Sequence, residues 1–145
     1  MPDSTKHFSD YLPPPADASF FMEPITINTM HKYILSTNPK PSLDDNDISM
    51  KLLHDVAAPI AIPLTHIFNQ SLAKGIFPTR MKVSRCIPIF KSGSPFSLDN
   101  FRGVAIINSF SKVFEKIFSD RLTQFYEDNT FFIDTQFGFR RKTST

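Results

Sequence analysis

Val83-Ser84-Arg85-Cys86-Ile87-Pro88-Ile89-Phe90-Lys91-Ser92-Gly93-Ser94-Pro95 decides how this chain is read. Its first eight residues are short, apolar and rich in β-branched side chains, which predicts a strand. Pro88 removes a ladder donor and so places that strand at a sheet edge or at a bulge. Lys91 to Pro95 is turn chemistry. After Leu98-Asp99-Asn100, a second strand is expected from about Phe101 to Ile107. The two strands form an antiparallel pair in this reading, joined by a long, mobile connection.

On either side of the pair the apolar residues recur at helical spacing. Upstream, Thr26 is the N-cap of a first helix that turns Ile27, Met30, Ile34 and Leu35 inward. Asn38-Pro39-Lys40-Pro41 ends it, because a residue before proline avoids the helical region. A second helix is read over Ile48 to Ala58, capped by Asp47, with Ile48, Leu52, Leu53 and Val56 inward. Pro59 suits the first turn of a third, which carries Ile60, Leu64, Ile67, Phe68 and Leu72 and stops at Gly75. Downstream, Asn108 or Ser109 caps a last long helix. Its apolar face runs through Phe110, Val113, Phe114, Ile117, Phe118, Leu122 and Phe125, and Asn129 is its stop.

The fold class is therefore α+β, mostly helical with a small antiparallel β-hairpin. A length of 145 residues is about one domain, and 41% apolar content can fill a core. Sixteen Phe against no Trp make that filling easy, since Phe needs no hydrogen-bond partner. Residues 1–21, with Pro13-Pro14-Pro15, read as an extended lead-in, flexible or draped, and residues 22–145 as the folded part.

Several function classes are disfavoured. Cys86 is a single cysteine, so no internal disulfide forms, and its apolar neighbours predict a buried structural thiol. No apolar stretch is long enough to span a bilayer, and Met1 to Asp10 lacks the apolar run of a signal peptide. An intracellular setting fits, with nucleus and cytoplasm both open. His54 and His66 read as ordinary helix residues without ligand partners at metal spacing. Asp44, Asp45 and Asp47 invite a calcium reading, but the loop lacks the glycine and distal glutamate of an EF-hand; a solvated loop is the better account.

The end of the chain, Gln136-Phe137-Gly138-Phe139-Arg140-Arg141-Lys142, crowds aromatics and three consecutive cations without an acid. Cations neutralise phosphates and aromatics stack on bases, so Arg140, Arg141 and Lys142 suit a nucleic acid. Phe137 and Phe139 read as core. Gly138 says that the backbone needs room there.

Six segments, in order, resemble the reverse transcriptases of non-LTR retrotransposons of the LINE and jockey-like group. They are Phe21 to Thr26; Ile67 to Leu72 with Gly75-Ile76-Phe77-Pro78 and Lys82; Ile87-Pro88-Ile89-Phe90-Lys91-Ser92-Gly93; Asn100-Phe101-Arg102-Gly103-Val104-Ala105-Ile106; Ser111-Lys112-Val113-Phe114-Glu115-Lys116-Ile117; and Gln136 to Thr145. Three positions depart from the pattern. Asp44 stands where the family carries glycine, Asn46 where it carries aspartate, and Met81 where it commonly carries Trp.

The resemblance implies an incomplete, fingers-side part of a right-hand polymerase fold, cut before the palm whose aspartates hold the two catalytic metals. No catalytic residue, metal ligand or cofactor is then expected within this chain. Magnesium is implied for the complete enzyme, with RNA template, DNA primer and deoxynucleoside triphosphates as its partners. The resemblance also implies that Lys91 and Arg102 grip the incoming triphosphate. Arginine offers two-pronged contact to phosphate oxygens and lysine a compact charge. Spacing by itself equally describes two solvated hairpin cations. Gln136 and Gly138 are assigned to a template- or primer-side turn by resemblance alone. Three readings of function remain side by side: part of an RNA-directed DNA polymerase, inactive alone; a non-catalytic nucleic-acid-binding module; and a non-functional retroelement remnant.

Overall fold

The structure, a computed structural model, describes His7, residues 18–132 and Gly138. Among these residues four α-helices and one β-hairpin follow one another as α1 (Ile27–Leu35), α2 (Met50–Asp55), α3 (Ala57–Lys74), β1 (Ser84–Phe90), β2 (Phe101–Ile107) and α4 (Ser109–Asp128). Short 3-10 turns at Thr79–Lys82 and Leu98–Asn100 lead into the two strands.

Each helix boundary has a local cause. The Thr26 hydroxyl accepts the Thr29 N–H at 3.2 Å and starts α1. Helix α2 starts two residues later than expected, because Ser49 caps it by accepting the Leu52 N–H at 3.1 Å. Asp47 is not the cap; it sits at φ +57° in the bend that brings the chain round to Ser49. Pro59 lies in the first turn of α3, where a missing N–H costs no ladder bond. Pro63 lies inside α3 and takes one donor from its ladder. Gly75, at φ +63°, ends α3 in the left-handed region, with the Ile76 N–H returning to the Ser71 carbonyl at 3.1 Å. Asn108, not Ser109, is the N-cap of α4, its Oδ1 accepting the Phe110 N–H at 2.8 Å.

The core joins α1, α2, α3 and α4 through Met30, Ile34, Leu53, Leu64, Phe114 and Ile117. Phe68 meets Phe114 edge-to-face at 4.8 Å between ring centroids. The inward faces are narrower than the apolar pattern implied. Ile27, Leu35, Leu52, Val56, Ile67 and Phe118 are all exposed. Short α1 and α2 each turn one narrow stripe to the interior, and the remaining apolar positions point away.

Residues 18–25 are draped over the helices. Phe20 packs on Phe118 and Phe125 with ring centroids 6.0 and 5.3 Å apart. The Asn69 side-chain amide then pairs with the Ile25 backbone in both directions, accepting its N–H at 2.9 Å and donating to its carbonyl at 3.0 Å. Arg121 donates to the Glu23 carbonyl.

Candidate functional site

The hairpin is antiparallel in a continuous register that pairs Ser84 with Ile107, Pro88 with Gly103, Ile89 with Arg102 and Phe90 with Phe101. The Lys91 N–H continues the ladder, donating to the Asn100 carbonyl at 2.7 Å. Opposed pairs alternate between bonded and non-bonded, so Pro88 faces Gly103 at a non-bonded pair. Its missing N–H therefore leaves no gap in the ladder. Pro88 lies on an edge, as every residue of a two-stranded sheet does, and the strand carries no bulge.

Side chains of opposed residues share a face, and residues two apart along a strand share it too. Ile89 and Arg102 are opposed, and Lys91 is two residues beyond Ile89. Lys91 and Arg102 are thus diagonal neighbours on one face, about 7–8 Å apart at their Cα atoms. Both are exposed. Below them Gly93 turns the chain at φ +89°, and a Cβ there would come within 2.8 Å of the Asn100 amide. The Asn100 Nδ2 in turn donates to the Ser94 carbonyl at 2.8 Å. The glycine-containing turn and Asn100 together fix where the ladder ends and hence where Lys91 begins.

Both roots of the hairpin are pinned to the helices. Before β1, the Met81 carbonyl accepts the Ser111 hydroxyl at 2.6 Å. After β2, the Asp44 carboxylate accepts the Ser109 N–H at 2.6 Å. Asp44 also accepts the N–H groups of Asn46 and Ile48 at 2.9 and 3.1 Å. This carboxylate is not solvated, as the acidic loop had implied, but 2% exposed. Burial acts to raise its pKa. The bonds from Ser109, Asn46 and Ile48 outweigh burial and hold the pKa below its ordinary value.

Several site expectations change. Cys86 is exposed rather than buried, because its face of the two-stranded sheet, with Ser84, Pro88, Gly103 and Ala105, is open among the described residues. Gly138 is exposed in a turn, with no described atom within 4 Å of where a Cβ would stand. Gln136, Arg140, Arg141 and Lys142, with Phe137 and Phe139, lie outside the described residues. His54 is occupied by a hydrogen bond of 2.9 Å between its Nε2 and the Thr37 hydroxyl oxygen. Among the described residues no group of three or more His, Cys, Asp or Glu side chains is placed to hold a metal ion. The described carboxylates are therefore not grouped as a magnesium site would need. No described helix is long and apolar enough to cross a membrane.

An apolar groove of about 760 Å³ lies between α3, the hairpin root and α4, lined by Leu72, Ile76, Phe77, Ile107 and Phe114. Among the described residues its charged lining is Lys82 with Glu115, which has little to offer a phosphate.

Sequence reasoning missed Asp44, Asn69 and Ser111. An aspartate two and four residues before the N–H groups it accepts is a recognisable local turn, and that signal was present for Asp44. The partners of Asn69 and Ser111 are 44 and 30 residues away, and no local pattern marks them.

No family model matches the chain. It is 28% identical over 137 residues to the probable RNA-directed DNA polymerase from transposon BS of Drosophila melanogaster, covering 94% of this chain. It is 30% identical over 145 residues to the RNA-directed DNA polymerase from mobile element jockey of the same species, covering 97% of this chain. The corresponding jockey polymerase of Drosophila funebris is 24% identical over 124 residues, or 85% of this chain. The chain spans about 15% of the length of these curated relatives.

Proposed function

We propose that this chain, a homologue of the RNA-directed DNA polymerases of jockey-type non-LTR retrotransposons, supplies the fingers-side part of such a polymerase and holds the triphosphate of the incoming nucleotide with Lys91 and Arg102. The similarity of nearly the whole chain to these polymerases supports the reading at the level of family. The observation that carries the site is the register: Ile89 opposes Arg102, and this brings Lys91 and Arg102 together on one face. A triphosphate is a dense anion, and nucleotidyl transfer builds further charge on the departing pyrophosphate. Two exposed cations beside a tight glycine turn approach such a group closely. They are worth most where that charge develops. RNA template and DNA primer are the partners this role requires, with Gln136, Gly138, Arg140, Arg141 and Lys142 on the template or primer side.

The test is nucleotide kinetics in a polymerase carrying this segment. Lys91→Ala and Arg102→Ala each raise the KM for deoxynucleoside triphosphate. A KM that stays unchanged in both variants overturns the assignment.

A further inference from the structure

The hairpin carries a third cation, Arg85, and the register puts it on the same face as Lys91 and Arg102, opposed to Ile106. All three cations of the two strands and their first flanking residues share that face. The opposite face, from Ser84, Cys86 and Pro88 to Gly103, Ala105 and Ile107, has none. No Asp or Glu occurs from Ser84 to Lys91 or from Asn100 to Ile107. Among the described residues, none of the three makes an ion pair. The charge is one-sided, exposed and unneutralised.

The row is also long. Arg85 lies four residues from Ile89, the partner of Arg102, which is about 13 Å of strand; Lys91 is two residues further, for about 20 Å in all. Three adjacent phosphates of one nucleotide engage one end of that row and stop short of the other. Between Arg85 and Arg102 the face is apolar, with Ile87 and Val104 half-buried and Ile89 exposed. Cations at both ends of an apolar floor match a strand that presents phosphates at intervals and can turn base faces inward.

We propose that Arg85 binds the sugar-phosphate backbone of an unpaired nucleic-acid strand, extending the grip of Lys91 and Arg102 away from the nucleotide. The inference rests on the triphosphate reading for which end of the row the nucleotide takes.

The experiment measures binding of a fluorescent homopolymeric single-stranded oligonucleotide to the full chain across a salt series, with triphosphate affinity measured separately. Arg85→Gln weakens oligonucleotide binding and reduces the slope of log K against log salt by about 0.7, the loss of one phosphate contact on a single strand. Arg85→Lys retains the slope. Triphosphate affinity is the same in both variants as in the parent chain. Far-UV circular dichroism of each variant, matched to the parent, confirms that an exposed substitution has left the fold intact. An unchanged slope in Arg85→Gln overturns the proposal, as does a parent chain that binds duplex as well as single strand. If Lys91→Ala and Arg102→Ala keep full triphosphate affinity while Arg85→Gln loses slope, the nucleotide reading fails and the strand contact stands.

Discussion

The Asp44 carboxylate and the Ser109 backbone N–H, 65 residues apart in sequence, meet at 2.6 Å inside the protein. Ser109 is the first residue of α4 and is separated from β2 by Asn108 alone, so this bond fixes the helix and the hairpin root to the same point. A buried negative charge at the start of a long helix also faces the positive end of its dipole. Asp44→Ala leaves the N–H groups of Asn46, Ile48 and Ser109 without this acceptor. The orphaned Ser109 donor is buried and costs about 1–3 kcal/mol, while those of Asn46 and Ile48 are part-buried, so water offsets some of their loss. A net loss of about 2–3 kcal/mol is expected as a lower urea midpoint. A midpoint equal to the parent's would show that the bond contributes nothing to folding.

The same carboxylate makes stability depend on pH in a definite direction. Its pKa in the fold is below the ordinary value, although burial alone would raise it. The folded state therefore favours the ionised form. The resulting stability is fully present above the unfolded pKa of about 3.9 and is lost as pH falls through the lower folded value. Asp44→Asn does not titrate. The gap in unfolding free energy between the parent and Asp44→Asn should be widest near neutral pH and should shrink below about pH 4. A gap that widens on acidification would mean the wrong sign for the shift.

How far the sequence revealed this arrangement depended on the range of each interaction. The strand from Phe101 to Ile107, the left-handed stop at Gly75 and the cap at Thr26 are written in neighbouring residues, and the structure has them where the pattern put them. The shared face of Lys91 and Arg102 needed the pairing register, which the strand boundaries nearly determine. Cys86 went wrong because an apolar strand normally lies in a covered sheet, whereas this sheet has two strands and the face that carries Cys86 is open among the described residues. Ile67 and Leu52 went wrong because helical periodicity marks an apolar stripe without stating its width. Asp44 read as a solvated acid because Ser109 is far away in sequence, and its burial depends on a helix that arrives later in the chain.

The hairpin tip allows a substitution that separates local geometry from charge. Gly93 sits at φ +89°, a backbone region that side-chain-bearing residues rarely adopt. A Cβ there would also come within 2.8–3.0 Å of the Asn100 amide, which is held in place by its bond to the Ser94 carbonyl. Gly93→Ala therefore has two penalties, strain in the turn and displacement of Asn100. The strain is about 1–2 kcal/mol for a left-handed residue with a Cβ. Because the Asn100 carbonyl accepts the Lys91 N–H, displacing Asn100 shifts Lys91 relative to Arg102 without removing either charge. Triphosphate binding should weaken several-fold in Gly93→Ala, while the salt slope for a single-stranded oligonucleotide stays close to the parent's. Loss of both together, with circular dichroism unchanged, would indicate that the cationic face acts as one undivided surface. Unchanged triphosphate affinity would separate the turn from nucleotide binding.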